Sequence, residues 1–192
     1  MAYLSHVQGK YEDAGSLYMH TLEVYKQRLG ETHPDMAHTL NNMAELYQAQ
    51  GKCEDAGLLY DGALAICEQR LGKNHPYTAI SLDNMAGFYN AQGKYSDAEP
   101  LCQRALIIFE QQLGLTHPDT MICLNNLAQL YENQSKYAEA ELVYARVLAI
   151  HEEQLGPTHP HTATSLNNLA ELYGAQGKYA EAEPVRSVRD KP

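Results

Sequence analysis

Residues 34–72 read PDMAHTLNNMAELYQAQGKCEDAGLLYDGALAICEQRLG. Pro34 suits the first position of a helix, where the missing N–H would have had no partner within the helix. Leu40, Met43, Ala44 and Tyr47 follow at i, i+3, i+4 and i+7, which is one face of a helix. Gln50-Gly51-Lys52 then breaks the pattern, and Gly51 suits the left-handed conformation that closes helices. A second stripe runs through Ala56, Leu59, Tyr60, Ala63, Leu64, Cys67 and Leu71, and Gly72 ends it. The stretch predicts two helices of about 15 and 19 residues, about 22 and 28 Å long. Neither could bury its apolar face alone. Ala44 and Ala63 let the two backbones approach, and Tyr47 and Tyr60 fill the space beside them. That use of tyrosine explains why the chain has 14 Tyr, two Phe and no Trp.

Working outward, the unit recurs. Leu29-Gly30 returns as Leu71-Gly72, Leu113-Gly114 and Leu155-Gly156, a 42-residue period. His33-Pro34 returns as His75-Pro76, His117-Pro118 and His159-Pro160. Gly51-Lys52 matches Gly9-Lys10, Gly93-Lys94, Ser135-Lys136 and Gly177-Lys178. A fixed period of this size predicts an all-α solenoid in which each helix pair stacks on the last. The reading is one array over residues 1–192. It has a partial repeat at 1–30, full repeats at 31–72, 73–114 and 115–156, and a final repeat at 157–192 with a shortened second helix. Met1 aligns with Met43, which places the start inside a first helix and leaves that end uncapped. The last helix is expected from Tyr179 to about Asp190, with Arg186 and Arg189 giving it a polar outer face.

Leu166-Asn-Asn-Leu-Ala-Glu-Leu-Tyr173 followed by Gln176-Gly-Lys-Tyr-Ala-Glu-Ala-Glu183 resembles a tetratricopeptide repeat. The usual unit has about 34 residues. This longer form, with Leu-Gly and Thr-His-Pro in its linker, is similar to repeats of kinesin light chains, nephrocystin-3-like proteins and sensor regions of bacterial signalling ATPases. The resemblance covers essentially the whole chain. It implies a right-handed superhelix of antiparallel helix pairs that binds proteins along its concave face.

The resemblance also implies which residues face that groove, namely those opposite the core stripe of each first helix. These are His38, Asn41, Glu45 and Gln48; then Ile80, Asp83, Gly87 and Asn90; then Ile122, Asn125, Gln129 and Glu132; then Thr164, Asn167, Glu171 and Gly174. Glu45, Asp83, Glu132 and Glu171 meet no Lys or Arg there. Kinesin light chains and co-chaperone repeats hold acidic ligands through basic groove residues, and this chain lacks them. Asn41, Asn125 and Asn167, with Asp83 in register, match a position that in light chains holds an extended ligand backbone, since an amide both donates and accepts. The parallel set Asn42, Asn84, Asn126 and Asn168 is expected to serve the fold. The partner expected is a protein or peptide, peptide-like or helical, neutral or basic in preference. The alternative is a structural, assembly or sensor role, with self-association through the open N-terminal end or membership of a larger signalling protein.

Charge narrows the classes further. Fourteen Lys and Arg against 24 Asp and Glu give a net charge of −10. Nucleic acid and anionic membranes are unfavourable partners for such a chain. The N-terminal residues show no secretion signal. Cys53, Cys67, Cys102 and Cys123 follow no framework spacing, so four free thiols and a cytoplasmic setting are expected. Cys53 and Cys102 stand where other repeats have Tyr and read as small core fillers.

Nothing points to catalysis, a cofactor or a metal. The histidines before Pro recur one per repeat, and a ladder cannot converge on one ion. They read as helix-start residues. His159 and His161 are close in sequence, with no further ligand expected nearby. Gly-Lys is a turn and not a phosphate loop. The acidic pairs Glu12-Asp13 and Glu54-Asp55 open second helices, where negative charge suits the dipole.

Overall fold

The computed structural model describes residues 11–178; the side chain of Glu12 is outside the description. The expected final helix from Tyr179 and the partial unit before Tyr11 lie outside the described residues. Among the described residues there are eight α-helices and no strand. They are α1 (Tyr11–Leu29), α2 (Pro34–Ala49), α3 (Cys53–Arg70), α4 (Pro76–Ala91), α5 (Tyr95–Gln112), α6 (Pro118–Asn133), α7 (Tyr137–Leu155) and α8 (Pro160–Ala175). Even-numbered helices are the first of each pair and have 16 residues; odd-numbered ones have 18 or 19. The chain forms two compact units, the first ending at Ile108 and the second beginning at Phe109.

Each first helix opens in the same way. His33, His75, His117 and His159 are its N-caps in extended backbone, with Pro as the first helical residue. The cap Nδ1 accepts a hydrogen bond from the backbone N–H two residues on, at 3.3, 3.1, 3.2 and 3.2 Å in turn. One of the four donors that a helix start leaves without a partner is thereby satisfied. In the last three pairs a buried Thr adds a second tie. Thr78, Thr120 and Thr162 donate to the carbonyls of Gly72, Gly114 and Gly156 at 2.8, 2.7 and 2.8 Å. Replacing His75 or His117 by alanine is therefore expected to cost about 0.5–2 kcal/mol, and asparagine should restore most of it. Urea unfolding curves check this; an alanine variant matching wild type would remove the cap from the account.

The turn inside each pair is equally regular. Gly51, at φ 76°, takes the left-handed conformation, and Lys52 N–H reaches back to the Tyr47 carbonyl at 2.9 Å. Ser135 adopts φ 60° at the equivalent place without being glycine. A turn this short makes the two helices antiparallel neighbours. Its lysine has a further use. The Nζ of Lys52, Lys94, Lys136 and Lys178 lies over the rings of Tyr47, Tyr89, Tyr131 and Tyr173 at 5.1–5.8 Å. Each cation–π contact at such exposed sites contributes about 0.5–1 kcal/mol.

In the first unit, α1 packs on α2, α2 on α3 and α3 on α4, and α2 also touches α4. One cluster joins Ala44, Ala56, Tyr60, Met85 and Phe88; another joins Met36, Ala37, Ala63, Ile66 and Cys67. In the second unit α7 packs on both α6 and α8 around Ala128, Ala140, Tyr144, Leu169 and Leu172. Second helices are also tied to each other by ion pairs, Arg104 to Glu68 at 2.7 Å in the first unit and Arg146 to Glu110 at 2.8 Å in the second.

The four cysteines are free thiols. Cys67, Cys102 and Cys123 are buried, but Cys53 is exposed, which corrects its reading as a core filler. It is the first residue of α3, ahead of the first inward position, Ala56. A thiol reagent should modify Cys53 rapidly in the native protein and all four residues after denaturation, the others waiting on opening. Mass spectrometry of the partially labelled protein checks the order; Cys67 reacting as fast as Cys53 would overturn it. Among the described residues no helix is long and apolar enough to cross a membrane.

Candidate functional site

The first helices α2, α4, α6 and α8 contain no Lys or Arg. Their carboxylates are Asp35, Glu45, Asp83, Asp119, Glu132 and Glu171. Of the residues expected to face a ligand, His38, Glu45, Gln129 and Glu171 are exposed. Gln48, Asn90, Asn125, Glu132 and Asn167 are half-buried. Asn41 and Asp83 are buried. Asn41 Nδ2 donates to Ser81 Oγ on the next first helix at 3.1 Å, so that amide group ties α2 to α4. Cys102 Sγ lies 3.7 Å from Asp83 Oδ1 as its donor. Asn125 donates to the Met121 carbonyl at 2.8 Å and accepts from Asn168 at 3.1 Å. Asn42 contacts His38 within its own helix at 3.3 Å. Members of both asparagine sets thus make internal bonds.

Two tyrosines of the second helices lie near the acidic positions. Tyr144 donates to Glu132 at 3.5 Å, and burial followed by the nearby Glu132 pushes its hydroxyl well above the tyrosine range. Burial raises the Glu132 carboxyl, with Glu171 adding to the effect and the Tyr144 hydroxyl opposing it. Tyr60 is likewise raised by burial and then by Glu45. These carboxylates share a negative field with no cation on the same helices to neutralise it.

In each unit a cleft lies between consecutive first helices. In the first unit it holds about 290 Å³. Pro34, Ala37, His38 and Asn41 of α2 form one wall, Tyr77, Ile80 and Ser81 of α4 the other, and Cys67 of α3 the floor. In the second unit it holds about 570 Å³. Pro118, Met121, Ile122 and Asn125 of α6 face His161, Thr164 and Ser165 of α8, over His151 of α7. Every one of those residues is two 42-residue periods from its counterpart, so the two clefts are the same place in the repeat. The floor contact is conserved in kind: Cys67 Sγ lies 3.5 Å from Ser81 Oγ, and His151 Nδ1 lies 2.7 Å from Ser165 Oγ.

His38, Asn41, Ile80, Ile122, Asn125 and Thr164 are the expected ligand-facing residues that these clefts bring in. The other ten lie elsewhere on their helices. Sequence reasoning missed His151. Its ring stacks on His161 at 5.8 Å, contrary to the expectation that His159 and His161 stand without another such residue nearby. The available signal was its register with Cys67, opposite a Ser in both repeats.

Helix pairs of one pattern, repeated with a binding-size cleft between them, define the class of helical-repeat interaction scaffolds. The tetratricopeptide-repeat family model matches residues 1–60, 35–87, 78–153 and 134–185, and the chain belongs to that family. No curated protein sequence is a match. Among solved structures, a putative kinesin light chain from Podosopora anserina with nearly identical TPR-like repeats is 26% identical, with a TM-score of 0.85, covering 98% of this chain and 89% of that one. BtubC (BKLC) from P. vanneervenii is 27% identical, with a TM-score of 0.81, covering 98% of this chain and 76% of that one. A Rap protein complexed with Competence and Sporulation Factor shares the fold at 18% identity and a TM-score of 0.72, covering 98% of this chain and 50% of that one.

Proposed function

We propose that the chain binds segments of another protein on the exposed faces of its first helices, α2 and α4 in the first unit and α6 and α8 in the second, and that it prefers neutral or basic segments. The observation that carries this reading is the charge of those four helices: several carboxylates, two of them the exposed Glu45 and Glu171, and no Lys or Arg. A Lys- or Arg-containing segment is drawn to such a surface, and an acidic one is repelled. His38, Gln48, Asn90, Asn125, Gln129 and Asn167 supply hydrogen bonds to its backbone and side chains. Asn41 acts from beneath the surface by tying α2 to α4, and Asp83 by accepting from Cys102 of α5. Arg104 and Arg146 are engaged between second helices. The protein acts as a scaffold without chemistry of its own, in the cytoplasm, where its thiols stay reduced.

The test is a peptide array of matched acidic, neutral and basic sequences at low and high salt. Basic peptides should bind best at low salt and weaken as salt rises. The double variant Glu45→Lys with Glu171→Lys should move the preference toward acidic peptides. Acidic peptides binding best to the wild type, or an unchanged ranking in the double variant, would sink the reading.

A further inference from the structure

The two clefts share a plan but differ in chemistry. Asp35 contributes a charge to the first, whereas no carboxylate, Lys or Arg lines the second. Met121 and Ile122 stand where the first has Ala37 and His38, and Ile150 and Leu155 close the end. Ile122 is 56% exposed and Leu155 42%, so apolar surface there stays open to water. A charged group seated in this cleft would lose hydration without meeting an Asp, Glu, Lys or Arg of opposite charge, whereas an apolar group gains by leaving water. The volume of about 570 Å³ is in the range of ligand sites.

The floor is titratable. Ser165 Oγ lies 2.7 Å from His151 Nδ1 and 3.2 Å from the His161 carbonyl, which accepts from it. From α8, His161 stacks on His151, and His159 lies against His161 at 5.2 Å. From α6 the cleft residues are Pro118, Met121, Ile122 and Asn125, none of which titrates. On α7 itself, the exposed Glu152 and Glu153 follow in sequence.

We infer that the cleft between α6 and α8 is an acid-released pocket for an uncharged aliphatic or aromatic side chain of the bound protein segment, with His151 as its titrating floor. This rests on the interaction reading above. An apolar occupant excludes water from His151 and so disfavours the imidazolium; by linkage, protonating His151 weakens the occupant. Burial, followed by the charges of His161 and His159, already holds the ring below its ordinary value. Affinity is thus full at neutral pH and falls as pH drops through the lowered folded value.

The probes are N-acetyltryptophanamide and N-acetylleucinamide, with the amides of N-acetylglutamate and N-acetyllysine as charged counterparts. Methyl signals of Met121, Ile122 and Ile150 report occupancy, from about pH 8 down to just above the isoelectric point of about 5.3. The uncharged amides should shift these methyls, and the charged ones should not. The dissociation constant should rise toward the acid end, with a limit of about tenfold for each unit by which the occupant lowers the His151 midpoint. Bound N-acetyltryptophanamide should lower that midpoint directly. His151→Cys, the residue this chain carries at Cys67, should keep binding and lose most of its pH dependence. Ile122→Asp, at an exposed position, should abolish binding with an unchanged melting temperature. Binding that is independent of pH, a His151→Cys variant as acid-sensitive as wild type, or charged amides binding equally well would overturn the inference. Array peptides that bind while the amides leave these methyls unmoved would end the pocket and leave the interaction surface standing. Amides that bind when no array peptide does would do the reverse.

Discussion

Replacing Tyr60 by alanine is expected to destabilise the first unit by about 3–5 kcal/mol, the range for removing a buried aromatic ring. Tyr60 is 1% exposed and heads the fully buried side chains by volume. Its ring lies 5.2 Å from that of Phe88, tilted by 48°, a favourable aromatic geometry. Ala44, Ala56 and Met85 complete the buried cluster, with Tyr47, Leu59, Leu64, Tyr89 and Leu101 packed around it. Residues of α2, α3, α4 and α5 therefore meet on this ring. Ala44 and Ala56 are 0% exposed, so the helices already touch through their smallest side chains. They cannot close further, and the space left by the ring persists as a cavity. Tyr60→Phe keeps the ring and should cost far less. The comparison is made by urea unfolding at constant m value, with amide exchange accelerating across α2, α3 and α4 in the alanine variant. If Tyr60→Ala and Tyr60→Phe unfold together, the ring does not hold these helices.

The helix pattern was legible because it depends on features that recur: apolar spacing, His-Pro at the start and Gly at the turn. Each has a local cause that the structure displays, such as the Nδ1 cap of His75 on the Tyr77 N–H. Other features were hidden by the same regularity. Cys53 shares its register with Tyr residues, yet Tyr11 itself is 37% exposed, so register with Tyr does not mean burial. The Lys of Gly-Lys reads as part of a turn, although its charge also lies over the preceding helix's Tyr. Asn41 and Asn42 could not be sorted from one helix, because their partners lie on different turns and helices. Asn41 reaches Ser81, and Asn168 reaches Asn125, both across the gap between successive first helices. The clefts were least legible. Their chemistry lies in positions where the repeats differ, Cys67 against His151 and Tyr77 against His161, and a reading built on what repeats passes over what varies.

Ala63→Leu should destabilise the first unit by about 1–3 kcal/mol, through overpacking where the other substitution leaves a void. Ala63 is 0% exposed and lies in a cluster with Met36, Ala37, Ile66 and Cys67. Leu22, Tyr25, Leu40 and Leu71 are packed against that cluster, so side chains from α1, α2 and α3 converge on the methyl group. Gly62 beside it shows how close α2 passes, since a Cβ added there would meet Leu40 Cδ1 at 3.7 Å. The repeat provides an internal scale. The same register holds Ala63, Ala105 and Val147, all three 0% exposed. Two extra methyl groups are thus accommodated in the second unit, where the neighbours differ, and nothing longer occurs in these pairs. Ala63→Val should accordingly cost less than Ala63→Leu, because the leucine must place its branch one carbon further into α2. Gln112→Leu, a change at an exposed position near the end of α5, should move the unfolding midpoint little. Unfolding curves of the three variants decide the matter. A leucine variant as stable as wild type would show that the helices separate freely at this position, and that alanine is there for helix propensity and not for close approach.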